Sequence, residues 1–245
     1  MKKMITLMIL VSAIGLFGLE MIDLNFFVEP KFDFDDSNMV NFRIKNLQND
    51  SIPQYTFLSG DILKGANPDS LIIDFLNIIS PEFALPTDFK FSVQKMNFPI
   101  LAANLANDSL NIITNKIIRS DSIRVGVFGV YSPDFVVKNK INAKLNFEVF
   151  PLIKHYAEAL AKEVDVVVMV SGLIKYIDRD AVKDLPIDVV VSFDYMKKRN
   201  EKFHKKTDFY SVISKKGKFG KLRIIHENGN FKHQWIERNL QSNPE

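Results

Sequence analysis

Leu58-Ser59-Gly60-Asp61-Ile62-Leu63 is the stretch that decides the fold of this chain. The apolar residues from Tyr55 to Leu58 predict a strand, and this strand delivers one carboxylate, Asp61, just after its end. A Gly-Asp pair by itself is most often only a turn. Gly60-Asp61 is a candidate site here because later segments show the same arrangement, in which a buried strand is followed by a residue that could bind a metal or a substrate.

Apolar strands and amphipathic helices alternate along the chain, which is typical of a layered α/β protein. Asp165–Val170 and Asp188–Val191 are continuous β-branched runs, as expected for strands buried on both faces. Apolar residues at helical spacing predict helices over three segments, Ser37–Asn49, Asp69–Ile79 and Phe147–Lys162.

Two hairpins are also predicted. The first pairs Leu110–Ile118 with Ser122–Val130. The second pairs Phe209–Ser214 with Leu222–His226 around a turn-rich loop. The first strand of the domain is expected over Leu19–Asn25.

Composition narrows the function classes. The chain has 245 residues, 47% of them hydrophobic, which suits one globular domain. A net charge of +3 argues against a dedicated nucleic-acid-binding protein, which needs a concentrated basic face. There is no cysteine, so disulfides, a thiol nucleophile and thiolate metal sites are excluded.

The N-terminus reads as an export signal over residues 1–18. Lys2 and Lys3 precede the apolar stretch Met4–Val11, and Ala13-Ile14-Gly15 offers small residues for a signal peptidase. We therefore expect a periplasmic or otherwise exported protein with no transmembrane segment after signal removal. An uncleaved anchor or a buried first helix is the alternative.

Six segments, in their order and spacing, resemble the N-terminal domain of the 5′-nucleotidase family of calcineurin-like, two-metal metallophosphoesterases. They are Tyr55–Asp61, Pro81–Phe91, Phe98–Leu105, Ile123–Val130, Val164–Gly172 and Ile187–Met196. The resemblance spans Leu19 to Ile225. It implies an α/β fold, a four-layer sandwich of two mixed β-sheets flanked by helices, forming a single domain over 19–245. The family's C-terminal nucleotide-binding domain is not expected in this chain.

The resemblance also implies a metal site at the strand ends, where the family uses mainly aspartate, asparagine and histidine. In this chain most of the corresponding positions differ. Aspartate stands at four of them, Asp23, Asp61, Asp88 and Asp194. The other positions, which would line a vestigial site wall, are Asn25, Thr87, Gly172 and Met196. A second register, with Asn25 and Phe26 in the first motif, would lose the carboxylate of Asp23.

Four carboxylates close together repel one another unless a cation or a proton neutralises them. Oxygen ligands suit a hard cation, so one magnesium or calcium ion could bind, whereas the loss of histidines disfavours a zinc or manganese pair. The alternative is that these aspartates face solvent or cap helices and hold no metal. No other cofactor is expected. The four histidines, His155, His204, His226 and His233, are expected in surface or partly buried roles.

These observations favour an exported pseudoenzyme of the metallophosphoesterase type without catalytic residues. It would bind an unknown protein partner or a small phosphorylated ligand. One alternative is an active metal-dependent phosphoester hydrolase with an aspartate-rich site. Another is an accessory subunit that binds through the surface around Tyr195 and Trp235.

Overall fold

The computed structural model describes residues 19–28, 51–60, 77, 80–86, 97–108, 110–138, 143–173, 175–192, 201–203, 207–211 and 218–239. Within them the strands are β1 (Glu20–Val28), β2 (Gln54–Gly60), β3 (Phe83–Pro86), β4 (Ile100–Leu101), β5 (Leu105–Ala106), β6 (Ile112–Ile113), β7 (Asn115–Arg119), β8 (Arg124–Val130), β9 (Lys144–Leu145), β10 (Val166–Ser171), β11 (Val189–Ser192), β12 (Glu201–Phe203), β13 (Thr207–Ser211), β14 (Lys218–Glu227) and β15 (Asn230–Asn239). The helices are α1 (Pro133–Lys138), α2 (Val149–Leu160) and α3 (Lys175–Ala181).

The strands form two large mixed sheets and one small one. Sheet 1 has the order β15-β14-β1-β2-β3-β4-β6, and sheet 2 has the order β12-β13-β11-β10-β8-β7. Strands β5 and β9 form a separate two-stranded sheet. In sheet 1 the strands from β1 to β6 are parallel, whereas β14 and β15 are antiparallel to their neighbours.

The two large sheets pack face to face. Strand β10 illustrates this packing, because successive side chains of a strand point to opposite faces of its sheet. Val166, Val168 and Val170 belong to the core shared with sheet 1, whereas Val167 and Met169 belong to the core under the helices. A strand buried on both faces explains the continuous apolar run in the sequence.

Helix α2 covers the outer face of sheet 2. Its residues Val149, Ile153, Ala157 and Leu160 are buried at spacings of three and four, which gives one apolar stripe. They join the β-strand residue Phe128 in the second core. The helix predicted over Phe147–Lys162 is therefore confirmed with slightly shorter bounds.

The parallel strands of both sheets run in the same direction. At their amino-terminal ends the Glu20 carboxylate accepts hydrogen bonds from Ser120 Oγ (2.7 Å) and from Ser122 N (3.0 Å). At the other end Ala103 N, just after β4, donates to Gly129 O in β8 at 2.7 Å. The carboxyl ends of β2, β3, β4, β8, β10 and β11 therefore lie on one side of the sandwich, here called the carboxyl edge.

The sandwich of two mixed sheets agrees with the predicted fold class, and two local predictions change. The first strand reaches Val28, three residues beyond the predicted end. The predicted pairing of Phe209–Ser214 with Leu222–His226 is wrong, because β13 lies in sheet 2 and β14 in sheet 1. The hairpin joins β14 to β15 at Asn228-Gly229, where both residues have positive φ, as the tight turn requires.

The first predicted hairpin is confirmed as the antiparallel pair β7–β8. The predicted helices over Ser37–Asn49 and Asp69–Ile79 lie outside the described residues, apart from Asn77. Of the helices that are described, none combines the length and the apolar character needed to cross a bilayer.

Candidate functional site

Three strands that end at the carboxyl edge directly precede predicted site residues in the chain. Strand β2 ends at Gly60, directly before Asp61, and β3 ends at Pro86, directly before Thr87 and Asp88. Strand β11 ends at Ser192, two residues before Asp194. Asp61, Thr87, Asp88, Asp194 and Met196 themselves lie outside the described residues, so their roles stay predictions.

Asp23 is not at this edge. In the parallel pairing of β1 with β2, Asp23 lies opposite Gln54, the first residue of β2, whereas Gly60 is the last. Six residues of extended strand separate these levels by about 20 Å. The structure therefore does not place Asp23 at the carboxyl edge, where the predicted site was expected, because β1 continues to Val28 before it reaches that edge.

The carboxylate of Asp23 has another role, in a buried ion-pair cluster with β14. Its side chain is fully buried, and Oδ2 accepts from Lys221 Nζ at 2.8 Å. The guanidinium of Arg223 donates from Nε to Oδ1 and from Nη2 to Oδ2, both at 2.8 Å. Burial pushes the pKa of Asp23 up, but these bonds outweigh it and the pKa is lowered. Asp23 is thus a structural anion.

Asn25 lies on the same face of β1 as Asp23 and is also fully buried. Its Nδ2 donates to Gln54 Oε1 at 2.9 Å. It pairs in register with Thr56, still four positions before the end of β2, so it does not reach the carboxyl edge. The alternative register, with Asn25 and Phe26 in the first motif, does not reach the carboxyl edge either, since Phe26 packs on Phe57 in the core with ring centroids 4.9 Å apart.

Gly172 does lie at the carboxyl edge, directly after β10, as predicted. Its N–H donates to Val130 O at 2.8 Å. A Cβ at this position would lie 3.3 Å from the same oxygen, so a side chain would be tightly placed. Glycine supplies no ligand atom to a cation here.

Asp178 is a residue that the sequence reasoning missed. It lies in the first turn of α3, is fully buried, and accepts a hydrogen bond from Ser171 Oγ. Ser171 Oγ in turn accepts from Leu173 N at 3.0 Å. The two side chains fix the turn that follows β10. The only signal in the sequence is an acidic residue shortly after a Ser-Gly pair.

Asn104 is the second missed residue, and it joins three segments. Its side chain is buried, accepts from Tyr131 N and donates to Tyr131 O, both at 2.9 Å. Its backbone oxygen accepts from Asn146 N at 2.9 Å. Asn104 thus connects the end of β4, the end of β8 and the chain before α2. The sequence feature that could have identified Asn104 is a polar residue directly after the small pair Ala102-Ala103.

The described residues alone do not complete a metal site. No group of three or more histidine, cysteine, aspartate or glutamate side chains is placed to hold an ion in this part of the chain. His155 lies on α2, His226 pairs with Glu20 in register at the amino-terminal end of β1, and His233 Nδ1 lies 3.1 Å from Asp208 Oδ2. His204 is outside the described ranges. Asp61, Asp88 and Asp194 lie outside the described residues and stay the predicted ligands of a cation.

The aromatic ring of Trp235 packs inside the molecule. It stacks on Tyr210 of sheet 2, with centroids 5.0 Å apart and planes 4° apart, and it lies 6.1 Å from Phe26. Trp235 is only partly exposed. Most of this ring is therefore used for packing between the sheets, and Tyr195, its predicted companion on an interaction surface, lies outside the described residues.

No family model matches this chain. No curated protein matches it either. Solved structures do. A protein of Staphylococcus aureus assigned as a 5′-nucleotidase has a TM-score of 0.72 at 15% identity, covering 92% of this chain and 55% of that one. The NAD nucleotidase of Haemophilus influenzae has a TM-score of 0.64 at 10% identity, covering 90% and 50%.

A third structure is similar over nearly its whole length. GAP50 of Plasmodium, the anchor in the inner membrane complex, has a TM-score of 0.51 at 10% identity, covering 91% of this chain and 90% of that one. This chain spans about half the length of the two nucleotidases. At such low identities the likeness concerns the fold, and on that level it agrees with the motif order read from the sequence. This chain has the metallophosphoesterase fold of the 5′-nucleotidases and calcineurin-like phosphatases.

Proposed function

We propose that this chain is an exported, non-catalytic member of the metallophosphoesterase type, which binds a protein partner or a small phosphorylated ligand. Nucleic acid is not among the proposed ligands, given the net charge of +3. Export is proposed from Lys2, Lys3 and the apolar stretch after them. N-terminal sequencing of the native protein would test this. A chain that begins at Met1 and is recovered from the cytosol would contradict it.

Gly172 is the observation that carries the non-catalytic proposal. It occupies the end of β10, a position at which the resemblance leads one to expect a histidine ligand, and it has no ligand atom. Asp23, the carboxylate that the resemblance assigns to the first motif, lies away from the carboxyl edge and is bound by Lys221 and Arg223 of β14. Both observations support the proposal that this chain lacks ligands of a two-metal site.

A two-metal phosphoesterase depends on both cations to activate water and to stabilise charge on the phosphoryl group. Removing one well-placed catalytic group typically costs about 10²- to 10⁴-fold in rate, and such losses do not simply multiply. We therefore expect no efficient hydrolysis. One protein of this fold, GAP50 of Plasmodium, is described as an anchor in the inner membrane complex.

Hydrolysis of p-nitrophenyl phosphate and of AMP, measured with magnesium, calcium, manganese and zinc, tests the proposal. We expect rates no higher than those of the Asp61→Ala variant. Robust metal-dependent hydrolysis that is lost in Asp61→Ala would overturn it. That result would establish the second candidate function, an active hydrolase with an aspartate-rich site.

The second candidate rests on one observation, the scaffold at the carboxyl edge. Strands β2, β3 and β11 end there, and Asp61, Asp88 and Asp194 follow them in the chain. If a cation binds, we propose a single magnesium or calcium ion held by these three aspartates. Thermal melts should then shift with the free cation concentration, and Asp61→Asn should abolish the shift.

A further inference from the structure

A groove lies beside the carboxyl edge, outside the predicted metal site. Its volume is about 530 Å³, and it is open to solvent along one side. One wall follows β4 and β5, and the other leads from β9 into α2. The groove is lined by residues 103–106 on one side and 144–148 on the other.

The groove has a fixed shape. Leu105 pairs with Leu145 in the two-stranded sheet, and Asn104 ties one wall to Tyr131 and to Asn146. Asn146 Oδ1 also accepts from Glu148 N at 2.8 Å, which holds the other wall in place. A groove that is formed before its ligand arrives does not lose binding energy to the ordering of its walls.

Its floor is apolar and one side of its rim is aromatic. Ala103 and Leu105 are buried, and Leu145 is partly buried. Phe147 lines the groove with 66% of its surface exposed, although a phenyl ring is normally withdrawn from water. An apolar ligand that lay against this ring would remove it from solvent.

The rim carries one charge of each sign. Lys144 and Glu148 are both exposed and line the groove. Neither side chain forms an ion pair or a side-chain hydrogen bond with any residue that the structure describes. An ammonium and a carboxylate left open beside an apolar floor complement a ligand that has an apolar body and both charges.

From these features we infer that the groove binds a short apolar peptide with free ends. Its side chains would lie on Leu105, Leu145 and Phe147. Its carboxylate would pair with Lys144 and its ammonium with Glu148. A peptide of two or three residues is about 7–11 Å long when extended, which is far too small a ligand for a stable protein–protein interface. The inference does not depend on whether the protein hydrolyses phosphoesters.

The test uses NMR titration of the ¹⁵N-labelled protein with trileucine. We expect saturable shifts at the amides of Ala106, Leu145 and Phe147. Blocking both peptide ends by acetylation and amidation should weaken binding roughly 2- to 30-fold, as expected for the loss of two exposed ion pairs. Phe147→Ser should weaken binding of both the free and the blocked peptide.

Charge reversals identify which end binds where. Lys144→Glu should weaken binding of peptides with a free carboxylate but not of the amidated peptide, and Glu148→Lys should do the same for the free amine against the acetylated peptide. Lys162→Glu and Glu163→Lys, exposed charges beyond the other end of α2, are the matched controls and should change nothing. The inference fails if no saturable shifts occur at the groove, if blocked and free peptides bind equally, or if the controls act like the rim variants.

Discussion

Asp23→Asn should destabilise the fold strongly, because it breaks the buried ion-pair cluster with Lys221 and Arg223. The Asp23 side chain has no exposed surface, and those of Lys221 and Arg223 are 6% and 21% exposed. Asparagine keeps the shape but leaves two cationic groups without this anion. Removing one partner of a buried pair costs about 3–5 kcal/mol.

That cost is a large part of the stability of an ordinary domain, which is about 5–15 kcal/mol. For a chain of this length each kcal/mol lowers the Tm by about 2–4 °C, so we expect a drop of about 6–20 °C. Differential scanning calorimetry and urea denaturation at pH 7 measure both quantities. Asp165→Asn is the matched control, since Asp165 pairs with the half-exposed Arg124 and its loss should cost much less.

The pH dependence gives an independent check. The pKa of Asp23 is lowered in the folded protein, so its contribution is present above the unfolded pKa of about 3.9 and is lost as the pH falls through the folded pKa. The difference between the natural chain and Asp23→Asn should therefore be full at pH 7 and shrink at pH 3. A loss below about 1 kcal/mol at pH 7, or a loss that appears only when magnesium or calcium is present, would refute the structural role of Asp23.

Three further predictions concern other buried or partly buried positions. Asn104→Ala should lower the free energy of unfolding, measured by urea denaturation, by about 2–4 kcal/mol, because two hydrogen bonds are lost and both backbone groups of Tyr131 lose a partner. A loss under 1 kcal/mol would contradict the role of Asn104 in connecting these segments. Gly129→Ala should cost about 1–3 kcal/mol and more than Gly126→Ala, since a Cβ at Gly129 would lie 2.7 Å from a backbone oxygen, whereas at Gly126 it meets a flexible leucine side chain at 3.0 Å; equal Tm values would contradict this. Burial raises the pKa of Asp188, so the protonated carboxyl favours the folded state in acid, and this contribution is lost as the pH rises through the folded pKa. Asp188→Asn should therefore raise the free energy of unfolding at pH 7 and raise it less at pH 3. A larger increase at pH 3 would contradict this reasoning.

The strands of sheet 2 could be predicted closely from the sequence. A run such as Val166–Ser171 is buried on both faces, and its length and composition identify it without knowledge of its neighbours. Helix α2 was also predictable, because its apolar stripe is local. The burial of these elements can be inferred from their own residues alone.

Long-range pairing was harder. Asp23 looked like a residue at a strand end because the partners that explain its burial, Lys221 and Arg223, are 198 and 200 residues away in the chain. The misplaced hairpin has a similar cause. Turn-forming residues predict that the chain reverses after Lys215, but they do not say which strands pair, and β13 and β14 join different sheets. Asn104 was visible only as part of a motif, because its role depends on Tyr131, which follows β8 and is 27 residues away in the chain.

The stack of Trp235 on Tyr210 gives this protein a built-in optical reporter. The chain contains one tryptophan, so its intrinsic emission comes from a single place, where β15 of one sheet lies against β13 of the other. The indole nitrogen of Trp235 is buried and has no hydrogen-bond partner among the described residues. Entry of water between the sheets would therefore move the emission to longer wavelength. A spectrum that stays unchanged while a ligand binds would locate that ligand away from this seam.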